Sequence, residues 1–133
     1  MAQKLLGVDY GLKKVGLAFF DGFLIEPIGV LVGEKDNRLI NKVLQLAIRL
    51  EVNKIIVGLP QRGPFLKPAR EFIKKLKLST QIEVEETQEI LTTKEALARM
   101  KETGGSWQKR AAKEDAVAAA ILLEDYLAGL TNV

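Results

Sequence analysis

A chain of 133 residues is the size of one domain, and 47% hydrophobic with 28% charged residues places it among globular rather than disordered proteins. It has no cysteine, which excludes disulfides and thiolate zinc sites, and no histidine, which removes the commonest general base and transition-metal ligand. The net charge of +3 permits a polyanionic partner without demanding one, and any catalysis has to run on carboxylates, lysines, hydroxyls or a hard metal ion held by oxygen.

Residues 4–10 form an apolar run that reads as a buried strand ending at Asp9. Residues 14–20 (KVGLAFF) follow after Gly11, so the pair reads as a hairpin turning at 11–13. Residues 24–32 make a third strand, opened by a turn at Asp21-Gly22 and carrying Pro27, which suits a sheet edge. The three together read as an antiparallel meander. The period then changes. Over residues 36–51, Leu39, Val43, Leu46, Ala47 and Leu50 mark one face of a helix that Asp36 or Asn37 could cap. Residues 54–58 (KIIVG) are a short buried strand that stops at Leu59-Pro60. A helix over 68–76, a strand over 82–86 and a helix over 92–100 follow. That last helix opens with the capping-box spacing of Thr92 and Glu95 and closes at Gly104-Gly105; a final helix is expected over 111–127.

The order predicts an α/β fold in a single domain over residues 1–133. Its sheet has five mixed strands, three antiparallel and then parallel βα units, flanked by helices. No apolar run approaches the ~20 residues of a membrane helix, and the first residues do not resemble a signal peptide. The expectation is a soluble, cytoplasmic protein.

Three acids stand out. Asp9 ends a central strand, where a carboxylate is costly unless something pairs with it; a turn-forming Asp before glycine is the plainer alternative. Glu89 follows the strand at 82–86; if that strand is parallel to the first, both acids leave the same carboxyl edge, where open α/β sheets bind ligands. Taken alone, Glu89 also reads as one more acid of a solvated loop. Asp115 leads the stripe of Ala118, Ala119, Leu122 and Tyr126 on the last helix, so it points back towards the sheet, though a simple N-terminal helix acid would look the same. Three carboxylates on separate elements suit Mg²⁺ or Mn²⁺, and two such ions about 3.5–4 Å apart can activate water against a phosphodiester.

These residues carry a resemblance. The segment 7–21 (GVDYGLKKVGLAFFD) resembles the opening motif of the YqgF/RuvX family, relatives of the Holliday-junction resolvase RuvC. Residues 56–60 (IVGLP) are similar to its strand ending in Gly-Leu-Pro, 89–93 (EILTT) to its acidic motif, and 114–127 (EDAVAAAILLEDYL) to its closing helix. The segments keep the family's order and spacing over nearly the whole chain. The resemblance implies a ribonuclease H-like fold, a metal-dependent nuclease with Asp9, Glu89 and Asp115 as catalytic, metal-binding acids, and a role in 5′-end processing of pre-16S ribosomal RNA. It also implies alternatives: a Holliday-junction resolvase-like DNA nuclease, or a catalytically weak RNA-binding factor of ribosome assembly. Where the family carries Asp-Glu-Arg this chain has Gln88-Glu89-Ile90, and Leu12 and Lys14 replace a usual threonine and arginine. The loop after Gly-Leu-Pro is shortened to Gln61-Arg62-Gly63-Pro64.

Nucleic acid is the expected partner, structured RNA or branched DNA, with the protein a monomer or a homodimer. Lys13 and Lys14 lie beside Asp9, Lys109, Arg110 and Lys113 precede Asp115, and Arg62 follows the Gly-Leu-Pro strand. All six are candidates for phosphate contact, with solubilising surface charge as the plainer alternative. Trp107 reads as a core side chain in preference to a base-stacking one. A further reading takes Asp9-Tyr10-Gly11 as the phosphate motif of an actin- or sugar-kinase-like ATPase, a fold that places nucleotide between two domains where this chain supplies one.

Overall fold

The structure is a computed structural model and describes residues 3–11, 13–33, 35–60, 63–88 and 114–131. Its elements are β1 (Leu5–Asp9), β2 (Lys14–Phe20), β3 (Ile25–Val32), α1 (Asp36–Arg49), β4 (Lys54–Leu59), α2 (Leu66–Ser79), β5 (Glu83–Gln88) and α3 (Glu114–Thr131). The helix expected over 92–100 lies outside the described residues.

The five strands form one mixed sheet in the order β3-β2-β1-β4-β5. β1 is central, antiparallel to β2 and parallel to β4, and its residues 5–8 are buried on both faces. That explains why its sequence alternates poorly: a doubly covered strand has no wet side. One face of the sheet packs Leu6, Val8, Ile55, Val57 and Val84 against α1 and α2; the other packs Leu5, Ala18 and Ile56 against Ala119, Leu122 and Leu123 of α3. Residues 4 and 53 fix where β4 starts beside β1. The Asn53 carboxamide oxygen accepts the Lys4 N–H at 2.7 Å, and the Asn53 N–H donates to the Lys4 carbonyl at 2.8 Å.

β3 is an edge strand, as Pro27 requires, and its register with β2 shifts between Leu17 and Ala18, opposite Gly29 and Pro27. The turn before it is tied by Asp21, whose carboxylate accepts the Phe23 and Leu24 N–H groups at 2.8 Å each. Those two bonds, Leu24's first, hold its carboxyl below the usual value, and Gly22 supplies the positive φ of the turn.

Both ends of α1 and both ends of α2 differ from expectation. Asp36 and Asn37 do not cap α1: Lys35 is the N-cap residue and makes no side-chain cap bond. Asp36 is instead the first helical residue, favourable at the positive end of the dipole, and its carboxylate meets Lys75 of α2 at 3.2 Å. The helix stops at Arg49, two residues short of Glu51. There the Val52 N–H donates to the Ala47 carbonyl and the Glu51 N–H to the Ile48 carbonyl, the paired bonds of a Schellman end. Glu51 stands where glycine is usual, at φ 56°, and is exposed. Replacing it with glycine is expected to raise stability by about 0.5–1 kcal/mol, since left-handed backbone costs an L-residue more than glycine loses in chain entropy. Urea unfolding checks this, and an unchanged or lower midpoint would contradict it. α2 begins at Leu66 and ends at Ser79, longer at both ends than the expected 68–76.

Candidate active site at the carboxyl edge of the sheet

Asp9 is the last residue of β1, in register with Gly16 of β2 and Gly58 of β4. Alternation along the strand puts Leu5, Gly7 and Asp9 on the face covered by α3, while Leu6 and Val8 face α1 and α2. The approach of α3 is close. A Cβ on Gly7 would sit 2.7 Å from Cγ of Leu123, and a Cβ on Gly58 would collide with a terminal methyl of Leu122. These two glycines let the last helix lie directly on the two central strands.

The direction of α3 follows from its contacts. Leu122 lies over Gly58 at the carboxyl end of β4, whereas Tyr126, one turn later, accepts a hydrogen bond from Lys54 Nζ (3.0 Å) at the strand's start. α3 therefore runs antiparallel to β1 and β4. Its first turn, which contains Asp115, is carried towards the edge where Asp9 ends. The positive end of the helix dipole is turned the same way, a field that favours anions.

Two further groups share that face and edge. Lys14, exposed at the start of β2, has the parity of Gly16 and so lies on Asp9's side, one step farther out; Lys13, also exposed, precedes it and its carbonyl accepts the Gly33 N–H at 3.1 Å. Thr87 of β5 pairs with Gly58, two strands from Asp9, or roughly 9.5 Å. It lies on the α3 side because Val84 faces the other core. Thr87 was not singled out from sequence; the spacing of Glu83, Glu85 and Thr87 along a strand is the signal that finds it. Glu89 directly follows Gln88 in the chain, and it, Arg62, Lys109, Arg110 and Lys113 lie outside the described residues. Among the described residues no three carboxylates gather into a metal-binding group.

On the other side of Asp9, Tyr10 stacks on Phe72 of α2 with ring centroids 4.6 Å apart. Burial, then the negative fields of Asp36 and Glu71, push its phenol above the ordinary value, so the ring stays neutral and anchors the end of β1 to α2. At the opposite end of the sheet Lys54 holds Tyr126 and Glu83 (3.2 Å). The hydrogen bond from its ammonium to Tyr126 leads the causes that raise its pKa and keep it charged. This cluster anchors α3 far from the acidic edge. No helix among the described residues is long and apolar enough to cross a membrane.

Comparison with known proteins agrees with this fold. The family model RuvX, described as Holliday junction resolvase, matches residues 3–129. A protein of Endomicrobium trichonymphae named as a pre-16S rRNA nuclease is 36% identical over 135 residues, covering 94% of this chain and 95% of that protein. A namesake from Halothermothrix orenii is 32% identical over 132 residues, covering 94% of each. Among solved structures, the fowlpox virus resolvase in complex with its substrate Holliday junction DNA matches with a TM-score of 0.65 at 15% identity, over 96% of this chain and 99% of that one. Thermus thermophilus RuvC with a Holliday junction substrate matches at 0.63 and 18% identity, over 97% of both chains. At such identities the likeness is one of fold, the ribonuclease H-like arrangement of a mixed sheet between helices. The chain belongs to the RuvX family of Holliday junction resolvases, and thus to a family of nucleases that hydrolyse phosphodiester bonds.

Proposed function

We propose that the chain is a metal-dependent nuclease whose substrate is the 5′ end of pre-16S ribosomal RNA, with Asp9, Glu89 and Asp115 holding the metal. The observation that carries this reading is Asp9 at the carboxyl end of the central strand, on the face towards which the first turn of α3 is directed. The donor set fits a hard cation. Without histidine or cysteine, the chain can offer a metal only oxygen ligands, which suits Mg²⁺ or Mn²⁺, one ion or a pair. Such an ion would activate water and neutralise charge on the phosphodiester.

The chain's own residues do the rest. Asp9 supplies a fixed carboxylate on a strand pinned from both sides, so its position costs no ordering at the moment of reaction. Lys13 and Lys14 meet phosphate at the rim, and the same role is assigned to Arg62, Lys109, Arg110 and Lys113. The substrate assignment follows the names of the relatives that are 30% or more identical. A resolvase acting on branched DNA is the second reading, favoured by the family description.

A cleavage assay separates them: a labelled 5′ precursor fragment of 16S rRNA and a labelled four-way DNA junction, each with Mg²⁺, Mn²⁺ or chelator. Cutting of the RNA that stops with chelator is the expected result. Preference for the junction would move the substrate to branched DNA. Failure to cut either substrate with either metal would refute the nuclease reading.

A further inference from the structure

α2 holds five cations, Lys67, Arg70, Lys74, Lys75 and Lys77, against the single acid Glu71. The net charge of the whole chain is only +3, so the rest of the molecule is on balance slightly acidic and the positive charge is concentrated on this helix. At 3.6 residues per turn, Lys67, Arg70, Lys74 and Lys77 fall within about a quarter of the circumference. Glu71 borders that sector beside Lys67, and Lys75 lies farther round, where it pairs with Asp36 of α1. All four sector residues are exposed, and none makes an ion pair among the described residues. Surface charge kept for solubility usually mixes its signs. A sector of one sign along a helix is the footprint of a polyanion.

Its position ties it to the site. α2 starts after the loop that leaves the carboxyl end of β4, through Gly63 at φ 104°, and Tyr10, next to Asp9, stacks on its Phe72. A shallow groove of about 450 Å³ opens at this loop and follows the helix along Leu66, Lys67, Arg70 and Lys74, with Glu71 as the one acid in its lining. From Lys67 to Lys77 the sector runs about 15 Å, the rise of roughly four phosphates along one strand at ~3.4 Å each.

We propose that Lys67, Arg70, Lys74 and Lys77 form a track for the phosphate backbone of the substrate nucleic acid, which crosses the carboxyl edge at Asp9 and continues down the outer side of α2. The inference rests on the nuclease reading for the identity of the strand, and not for its binding. These residues touch phosphates remote from the scissile bond, so they set affinity and leave sequence preference alone.

The test uses the full chain carrying Asp9→Asn, which keeps the substrate whole during binding measurements, with Lys67, Arg70, Lys74 and Lys77 all changed to Gln. Its control changes Lys4, Lys42 and Arg49 to Gln, a comparable loss of charge away from that edge. Binding of a labelled RNA hairpin with a single-stranded 5′ extension, and of a four-way DNA junction, is titrated from 50 to 200 mM salt. The track predicts at least about tenfold weaker binding and a log–log salt slope shallower by ~3 in the α2 variant, with little change in the control. The arm that loses more identifies the strand as RNA or DNA. Equal slopes in variant and control would overturn the track, and would leave α2 to some other acidic partner. If the chain with native Asp9 cuts nothing while the α2 variant still loses its slope, the nuclease reading fails and the track stands.

Discussion

Asp9→Asn is expected to slow metal-dependent cleavage by at least about a hundredfold and to leave the fold intact, because it removes charge from the metal site without changing side-chain shape. The backbone at this position is held by pairing on both sides, with Gly16 and with Gly58. Stability should stay within about 1 kcal/mol, and nucleic acid should still bind. Single-turnover cleavage under saturating Mn²⁺, with a melting curve on the same sample, measures both. A variant that cut at the native rate would remove Asp9 from the chemistry, whereas one that melted early would show the carboxylate to be structural.

The second large effect is on stability. Gly7→Ala places a methyl 2.7 Å from the branch carbon of Leu123, a fully buried side chain. Overpacking of this kind costs about 1–3 kcal/mol. Leu123→Ala, which opens a cavity at the same place, is expected to cost about 2–5 kcal/mol. The double variant should cost less than the sum by roughly 0.5–3 kcal/mol, since the new methyl occupies part of the hole. Gly58→Ala should be milder, because it meets a terminal methyl of Leu122 that can swing away. Urea unfolding of the four proteins reads these values, and strict additivity would mean that α3 does not sit on β1 as described. Activity should fall with Gly7→Ala as well, because lifting α3 moves its first turn relative to Asp9.

Much of this architecture could be read from sequence. All five strands lie within two residues of expectation, because their apolar runs are bounded by glycine, proline or acidic turns. Helix ends were harder. Nothing in Phe65-Leu66-Lys67 signals a start: the N-cap is Phe65, with no side-chain bond, and Pro68 sits inside the first turn, where its missing N–H costs nothing. The apolar period carries α1 to residue 51, past its true end, because its stop depends on Glu51 adopting a conformation usually left to glycine. β5 runs two residues past the expected 86 although Glu85 and Glu86 have low strand propensity, because β4 supplies the ladder. The position of Asp9 was legible as a carboxylate ending a buried strand. The α2 sector was not, since its cations are scattered in sequence and gather only at the helical period. Thr87 was hidden for a similar reason, as its relation to Asp9 passes through β4.

The two outer strands of the sheet also bear on how copies of this protein can meet. β3 interrupts its free side with a residue that has no N–H, Pro27, and with a local bulge; β5 carries Glu83, Glu85 and Glu86 along the other border. An incoming strand would meet a broken row of donors on one side and repulsion from its own glutamates on the other. Sheet-to-sheet addition, the first step of fibrous aggregation, is thus discouraged at both borders described.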